Sequence, residues 1–381
     1  MEPHLVSYTR RELIAYFLRL GTVGFGGPPA LVSAMHRDLV MERQWVSEED
    51  YREGLALAQL APGPLAAQLA IYIGYIHYGV AGATFTGLAF VLPSFAMVLG
   101  VSWAYVEFNG LPWMQAIFYG IGAAVIGIIA IGTHKLALKT VSKDALSWIL
   151  FTVSALATVI AEQEILWLVL LSGGIYWLVK TRGPIRSDSG SSYAPLLLQL
   201  FALPSDSILW QLALFFMKAG AFVFGSGLAI VPFLYGGVVK EYGWLSEQQF
   251  LDAVAVAMIT PGPVVITVAF IGYLVAGFSG ACVAAIATFL PCYLFTVLPA
   301  PYFKRWGKHP GVKAIVDGIT IAAVGAIGGA VIVLGRRQLV DLPAFLIALT
   351  SLGLLYRYKK LSELYLIGGA ALVGLLLRYI A

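Results

Sequence analysis

The sequence predicts an all-α polytopic membrane protein made of two tandem homologous repeats, expected in inverted topology, each opening on short broken or re-entrant helices. Three observations carry this. The 381-residue chain is 60% hydrophobic and only 12% charged, against about 25% charged in soluble domains. Its mean hydropathy is +0.85, and apolar runs recur along the whole length between short polar turns, so many helices are expected to cross a bilayer. The runs are continuously apolar rather than alternating, which argues against a β-barrel. Finally, the second half of the chain repeats the first.

The repeat rests on unusual residues. Residues 17–64 align with 216–263 at a constant offset, and 16 of these 48 positions are identical. Phe17, Gly21, Phe25 and Gly26 match Phe216, Gly220, Phe224 and Gly225. Glu42, Trp45, Ser47 and Glu48 match Glu241, Trp244, Ser246 and Glu247, and Pro62-Gly63-Pro64 matches Pro261-Gly262-Pro263. After a one-residue slip, Ile73-Gly74-Tyr75, Gly82, Pro93, Gly120 and Gly127 match Ile271-Gly272-Tyr273, Gly280, Pro291, Gly318 and Gly325. Shared apolar composition does not align Trp-x-Ser-Glu and Pro-Gly-Pro in register. The expected organisation is therefore a first repeat at 1–180, a hydrophilic linker at 181–207 rich in Ser and Gly, and a second repeat at 208–381.

Residues 10–24 form the first apolar segment, only about 22 Å of helix and short of a ~30 Å hydrocarbon core. Gly24-Phe25-Gly26-Gly27-Pro28-Pro29 then breaks it, and a second short segment covers 30–42. Ser47 is placed to cap helix 48–60 with Asp50 at the third position; Ser246 and Gln249 repeat this in the second copy. Pro62-Gly63-Pro64 stops that helix, and a further one is expected through about residue 78. Long apolar segments follow near 82–106, 112–134, 144–160 and 164–180, repeated near 280–302, 311–334, 340–356 and 361–380. Pro93 and Pro291 are expected to kink the first of these. No cleavable signal peptide is expected, because residues 1–12 are polar and Arg19 interrupts the first apolar run.

Loop charges bear on orientation. Loop 134–143 carries Lys135, Lys139 and Lys143, and its equivalent carries Arg336 and Arg337. Loop 107–111 lacks Lys and Arg, while 303–313 holds Lys304, Arg305, Lys308 and Lys313; loop 161–164 holds Glu162 and Glu164, while its equivalent holds Arg357, Lys359 and Lys360. Two of the three pairs invert their bias, which favours an inverted repeat.

Short, Gly/Pro-interrupted segments at matching places in two repeats point to a transporter binding site. A helix restarting inside the membrane presents backbone N–H groups and a partial positive charge to an anion. The candidate substrate-binding residues are therefore Phe25, Gly26, Gly27 and Pro28 with Pro62, Gly63 and Pro64 in the first copy. Gly225, Ser226 and Gly227 with Pro261, Gly262 and Pro263 are their counterparts. Arg19 and Lys218 occupy equivalent places in short apolar helices, as two cations suited to a dianion between the halves. Gln59 and Thr260 stand just before the Pro-Gly-Pro breaks as hydrogen-bond donors. Glu42, Glu241, Glu53 and Asp252 are matched acids that could pair with these cations or carry coupling protons.

Other classes are disfavoured. The net charge of +4 is spread over loops, with no aromatic-basic platform, so no nucleic acid partner is expected. The sequence has no His-Glu-x-x-His, no Gly-x-x-x-x-Gly-Lys-Ser/Thr and no Gly-x-Ser-x-Gly, so no catalytic residues, metal or cofactor are expected. Cys282 and Cys292 read as apolar packing residues.

Phe25-Gly26-Gly27-Pro28, Trp45, Pro62-Gly63-Pro64 and Pro93 together resemble the chromate ion transporter family, in its two-domain form. The second copy keeps Trp244, Pro261-Gly262-Pro263 and Pro291 but departs at Phe224-Gly225-Ser226-Gly227, so unequal contributions from the copies are expected. The resemblance implies a multi-pass inner-membrane secondary transporter that exports chromate, with sulfate as a structural mimic, using the proton-motive force. The implied partners are the bilayer, a small oxyanion and protons; a homodimer is left open. The alternatives are a sulfate or other oxyanion carrier, a passive anion channel, and a membrane-embedded enzyme acting on lipid or phosphate groups.

Overall fold

The computed structural model describes residues 8–24, 27–108, 112–141, 144–162, 165–181, 207–222, 230–303, 310–358, 361 and 363–380. The linker residues 182–206, the break residues Phe25, Gly26 and Phe224-Gly225-Ser226-Gly227, and the loop charges Lys143, Glu164, Lys304, Arg305, Lys308, Lys359 and Lys360 lie outside the described residues. Every regular element among the described residues is helical.

The first copy opens with α1 (Arg10–Val23), started by a Thr9/Glu12 capping box that satisfies the free N–H groups of its first turn. Helix α2 (Gly27–Met35) widens into a π-helical turn at His36–Glu42. Helix α3 (Glu48–Leu60) is capped by Ser47, whose hydroxyl accepts from the Asp50 N–H. Then come α4 (Leu65–Phe108), α5 (Pro112–Thr140), α6 (Ala145–Ala161) and α7 (Leu166–Lys180). The second copy repeats this order: α8 (Ile208–Phe222), α9 (Ile230–Leu234) widening into a π-helical turn at Tyr235–Glu241, and α10 (Glu247–Ile259) with the reciprocal Ser246/Gln249 box. It continues through a short 3-10 turn at Val264–Ile266 into α11 (Thr267–Val297), α12 (Pro310–Gln338), α13 (Leu342–Arg357) and α14 (Glu363–Ile380).

Helices α4 and α11 do not run straight. In α4 the backbone leaves helical geometry at Tyr78 and Gly79, and Gly79 (φ 60, ψ −153) sits in a region essentially open only to glycine. The Thr86 hydroxyl donates to Ala70 O at 3.0 Å, and a Cβ on Gly74 would lie 2.5 Å from Gly82 O. Residues 70 and 86 would be about 24 Å apart in a continuous helix. Helix α4 is therefore a tight hairpin, with an inner arm at 65–77 and an outer arm at 80–108. Ala276 and Gly277 (φ 61) make the same reversal in α11, with Gly272 closing on Gly280. The sharp turn falls at these glycines, while Pro93 and Pro291, the expected kinks, lie within the outer arms.

The copies interlock. Helix α5 of the first copy packs against α13 and α14 of the second, and α12 of the second packs against α6 and α7 of the first. Glycines set the approach: a Cβ on Gly120 would lie 2.0 Å from Ala370 O in α14, and one on its counterpart Gly318 would lie 2.6 Å from Ser172 O in α7. Gly127 meets Ala348 and Gly325 meets Phe151 in the same reciprocal way, as small residues do where membrane helices pack closely. The hairpins α4 and α11 also pack together, joined by a Thr84–Tyr293 hydroxyl pair at 2.8 Å. Contacts in which each partner supplies the other's surface define a two-fold relation. The exposed faces of α6, α7, α13 and α14 carry Ile149, Leu156, Ile160, Leu171, Leu346 and Leu349, with Trp148, Trp167, Tyr356 and Tyr365 towards helix ends. Such a surface matches lipid and its interfaces.

Candidate functional site: the helix breaks and their cavities

The Pro-Gly-Pro break of each copy is stopped by proline and turned by glycine, with Gly63 at φ 141 and Gly262 at φ 99. The second of these breaks meets the first break of the other copy: the Gly262 N–H donates to Gly24 O at 2.8 Å. Ser94, fully buried next to Pro93, donates to Pro261 O at 2.7 Å and lies 3.3 Å from Gly21 O. A Cβ at Gly262 would stand 2.0 Å from the Ser94 Oγ. Cys292, the counterpart of Ser94, is buried beside the other break, its Sγ 3.1 Å from where a Gly63 Cβ would be. Breaks far apart in sequence thus meet elements of the other copy, Gly262 at Gly24 and Ser94, and Gly63 at Cys292. Ser94 escapes sequence reasoning and Cys292 reads there as an apolar packing residue; each follows a matched proline, which is the available signal.

Gly27 and Pro28 begin α2. Thr260 is buried as the C-cap of α10, and its hydroxyl donates back to Val256 O at 2.7 Å. Gln59 lies exposed on α3.

Beside Gly24 lies a cavity of about 430 Å³ lined by Arg19, Arg37, Arg43, Asp38, Glu42 and Tyr16 among others. Arg19 is exposed on α1. Arg37 pairs with Asp38 at 2.9 Å and Glu42 at 3.6 Å, so the recorded partner of Glu42 is Arg37 rather than Arg19. Arg43 lies over the rings of Trp45 (4.6 Å) and Tyr16 (5.5 Å). Three guanidiniums and two carboxylates line the cavity, an excess of one positive charge, with Arg37 engaged by both acids. Arg37 and Arg43 escape sequence reasoning because the second copy has Gly236 and Tyr242 in their places. Lys218 is half-buried on α8 and makes no ion pair among the described residues.

The acids separate. Glu42 and Glu241 are exposed, and Glu53 is half-buried. Asp252 is 5% exposed and borders a second cavity of about 990 Å³ with Gln115, Tyr119 and Gln249. Its carboxyl oxygens accept from the Tyr105 hydroxyl at 2.7 Å and Gln248 Nε2 at 3.0 Å, and no cation reaches it among the described residues. Among those residues no group of His, Cys, Asp and Glu could hold a metal.

Interlocked repeats, broken helices meeting at the centre and a cation-lined cavity beside them define a transmembrane transporter. The chain belongs to the chromate transporter family, whose model matches residues 11–177 and 210–375, one match per repeat. It is 62% identical to a chromate transport protein of Cupriavidus metallidurans, covering 97% of this chain and 93% of that one. It is 60% identical to a probable chromate transport protein of Synechococcus elongatus, covering 97% and 96%. A chromate transport protein of Pseudomonas aeruginosa is 29% identical over 98% and 93%. No solved structure matches the chain.

Proposed function

We propose that this protein is a secondary transporter exporting chromate across the cell's inner membrane, driven by the proton-motive force, with its two copies inverted across the bilayer. The observation that carries the reading is the bond between Gly262 of one copy and Gly24 of the other. Helices that end and restart at a buried centre can release backbone groups to an anion when the copies shift, without a fixed charge at the centre. Arg19, Arg37 and Arg43 gather the anion from one side. The substrate contacts proposed at the breaks are those expected from the sequence: Phe25, Gly26, Gly27, Pro28, Pro62, Gly63 and Pro64, with Gly225, Ser226, Gly227, Pro261, Gly262 and Pro263. Asp252 is the acid best suited to carry the coupling proton, because a buried carboxylate held only by neutral donors is costly to keep charged. Glu53 stands in the matching position.

The test is chromate flux into everted membrane vesicles, with sulfate as competitor and the proton gradient intact or collapsed. Accumulation that sulfate inhibits and an uncoupler abolishes is the expected result. Flux that survives the uncoupler unchanged would identify a passive channel; uptake only in right-side-out vesicles would reverse the direction.

A further inference from the structure

We propose that the coupling proton reaches Asp252 from the membrane face opposite the arginine cavity, through the cavity of about 990 Å³ that Asp252 borders, so that anion and proton pass in opposite directions. The inference rests on the transport reading above and adds the side and direction of proton entry. The faces follow from the outer arm of α4. At its turn the Tyr78 hydroxyl donates to Tyr8 O at 2.6 Å, and the Tyr8 ring stacks on Trp45 at 4.6 Å. The turn of α4 and the starts of α1 and α3 therefore share one end of the molecule. The arginine cavity runs inward from Arg43, beside Trp45, to Gly24. At this depth α1 crosses the arm, Gly21 lying against Phe90 about 16 Å past Gly79. Tyr105, which bonds Asp252, lies about 39 Å past Gly79, at the other end. The arginine-cavity end carries Arg10, Arg11, Arg37, Arg43 and Arg52, and α5 returns Lys135 and Lys139 to it. The far end carries Lys240, Arg336 and Arg337, so the bias of basic residues assigns the arginine cavity to the cytoplasmic face.

The far cavity is built for a proton. Its rim residues Gln115, Ser246 and Gln248 are exposed, while Asp252 lies buried at its floor. A polar cavity of this size has room for water from rim to carboxyl. The Tyr105 ring packs edge-on against Phe118 of α5 at 5.5 Å and Phe270 of α11 at 5.2 Å, which holds its hydroxyl on Asp252 Oδ2. Tyr105 is thus a positioning residue. No Lys, Arg or His lines this cavity among the described residues. The titratable groups around Asp252 are Tyr105 from α4 and Tyr119 from α5, the latter bonded to Asp341 at the start of α13; α14 presents Gly374 and Leu377. Glu247 on α10 is engaged by Lys240 and Arg337, which Glu162 also binds. A cation beside Asp252 would keep it charged throughout the cycle; neutral donors let it take up and release a proton. The arginine cavity has the opposite character, its excess positive charge favouring an anion over a proton. Chromate leaving and a proton entering both run down an inside-negative potential, so one exchange draws on both parts of the proton-motive force.

The experiment uses the full chain in everted membrane vesicles, with a pH-sensitive dye trapped in the lumen and the potential clamped by potassium and valinomycin. Chromate is added outside at a pH well above its second ionisation, so that the anion itself brings no proton. With the unmodified protein the lumen should turn alkaline as chromate enters, relative to vesicles lacking the protein. Asp252→Asn should cut the protons moved per chromate at least tenfold. Tyr105→Phe keeps the ring between Phe118 and Phe270 but removes the bond to the carboxylate. The pH midpoint of its coupled flux should move up by about one unit, a shift that lost packing alone does not produce. Lumen acidification, or chromate entry without a pH change, overturns the inference and leaves the transport reading standing. An unchanged proton ratio in Asp252→Asn also overturns it, and an unmoved midpoint in Tyr105→Phe removes Tyr105 from the site. The dye series on the unmodified protein decides even if neither variant folds. Absence of chromate flux in either vesicle orientation overturns the transport reading, and the inference with it.

Discussion

At single residues, function and packing can be told apart by what a substitution meets. Arg19→Gln removes a cation from the cavity beside Gly24 without touching a buried contact, since Arg19 is exposed. Chromate transport should fall about tenfold, as for a charge-assisted contact near 1.4 kcal/mol, while the thermal melt in detergent stays put; unchanged transport would remove Arg19 from the site. Gly262→Ala differs in kind. It sets a Cβ against Ser94 Oγ and asks a non-glycine residue to hold φ 99. Adding Ser94→Ala relieves the clash but not the backbone strain of about 1–2 kcal/mol, so the double variant should recover only part of the lost stability. Arg43 belongs to the same lesson: it does not announce itself in the sequence, because the second copy has Tyr242 in its place.

At the scale of elements, the hairpins decide how the breaks are presented. A Cβ at Gly79 would meet nothing within 4 Å, so Gly79→Ala isolates backbone strain. It should destabilise by about 1–3 kcal/mol. Gly100→Ala, on the outer arm with open space around it, should instead stabilise by about 0.5–1 kcal/mol. Melting curves of the two variants should move in opposite directions. A second element-level feature is an ion-pair cluster joining the two copies. Glu162, in the turn after α6, binds Lys240 at 2.7 Å and Arg337 at 2.5 Å, while Arg337 also reaches Glu247. The Lys240 contact, then Arg337, hold the Glu162 carboxyl below its ordinary range. A depressed carboxyl adds stability above its unfolded-state value and loses it as pH falls through the folded-state value. Glu162→Gln should therefore lower the melting temperature at neutral pH and narrow the difference on acidification.

At the scale of the whole molecule, each repeat completes its packing with helices of the other. The chain opened between 181 and 207 and expressed as two pieces should co-purify through a tag on one piece and carry transport. Either piece alone should lack the partners of α5 or α12 and fail to give a monodisperse species. A well-behaved single half would contradict the interlocked arrangement. The arginine cavity lies beside Gly24 of the first copy, and the second copy has Gly236 and Tyr242 where the first has Arg37 and Arg43, so the two-fold relation of the backbone carries an unequal distribution of charge.

Apolar run length, proline stops and serine caps are local signals, so the membrane class, the duplication, the short broken helices and nearly every segment boundary are legible in the order of residues. That order locates the breaks but not their meeting. Tertiary contacts alone joined Gly24 to Gly262, turned α4 and α11 into hairpins at Gly79 and Gly277, set Ser94 against Pro261 and buried Asp252 beside Tyr105. Those facts come from contacts between segments distant in the chain. Close helix approach at glycine and the need to satisfy buried polar groups selected them, and neither condition is written in the order of neighbouring residues.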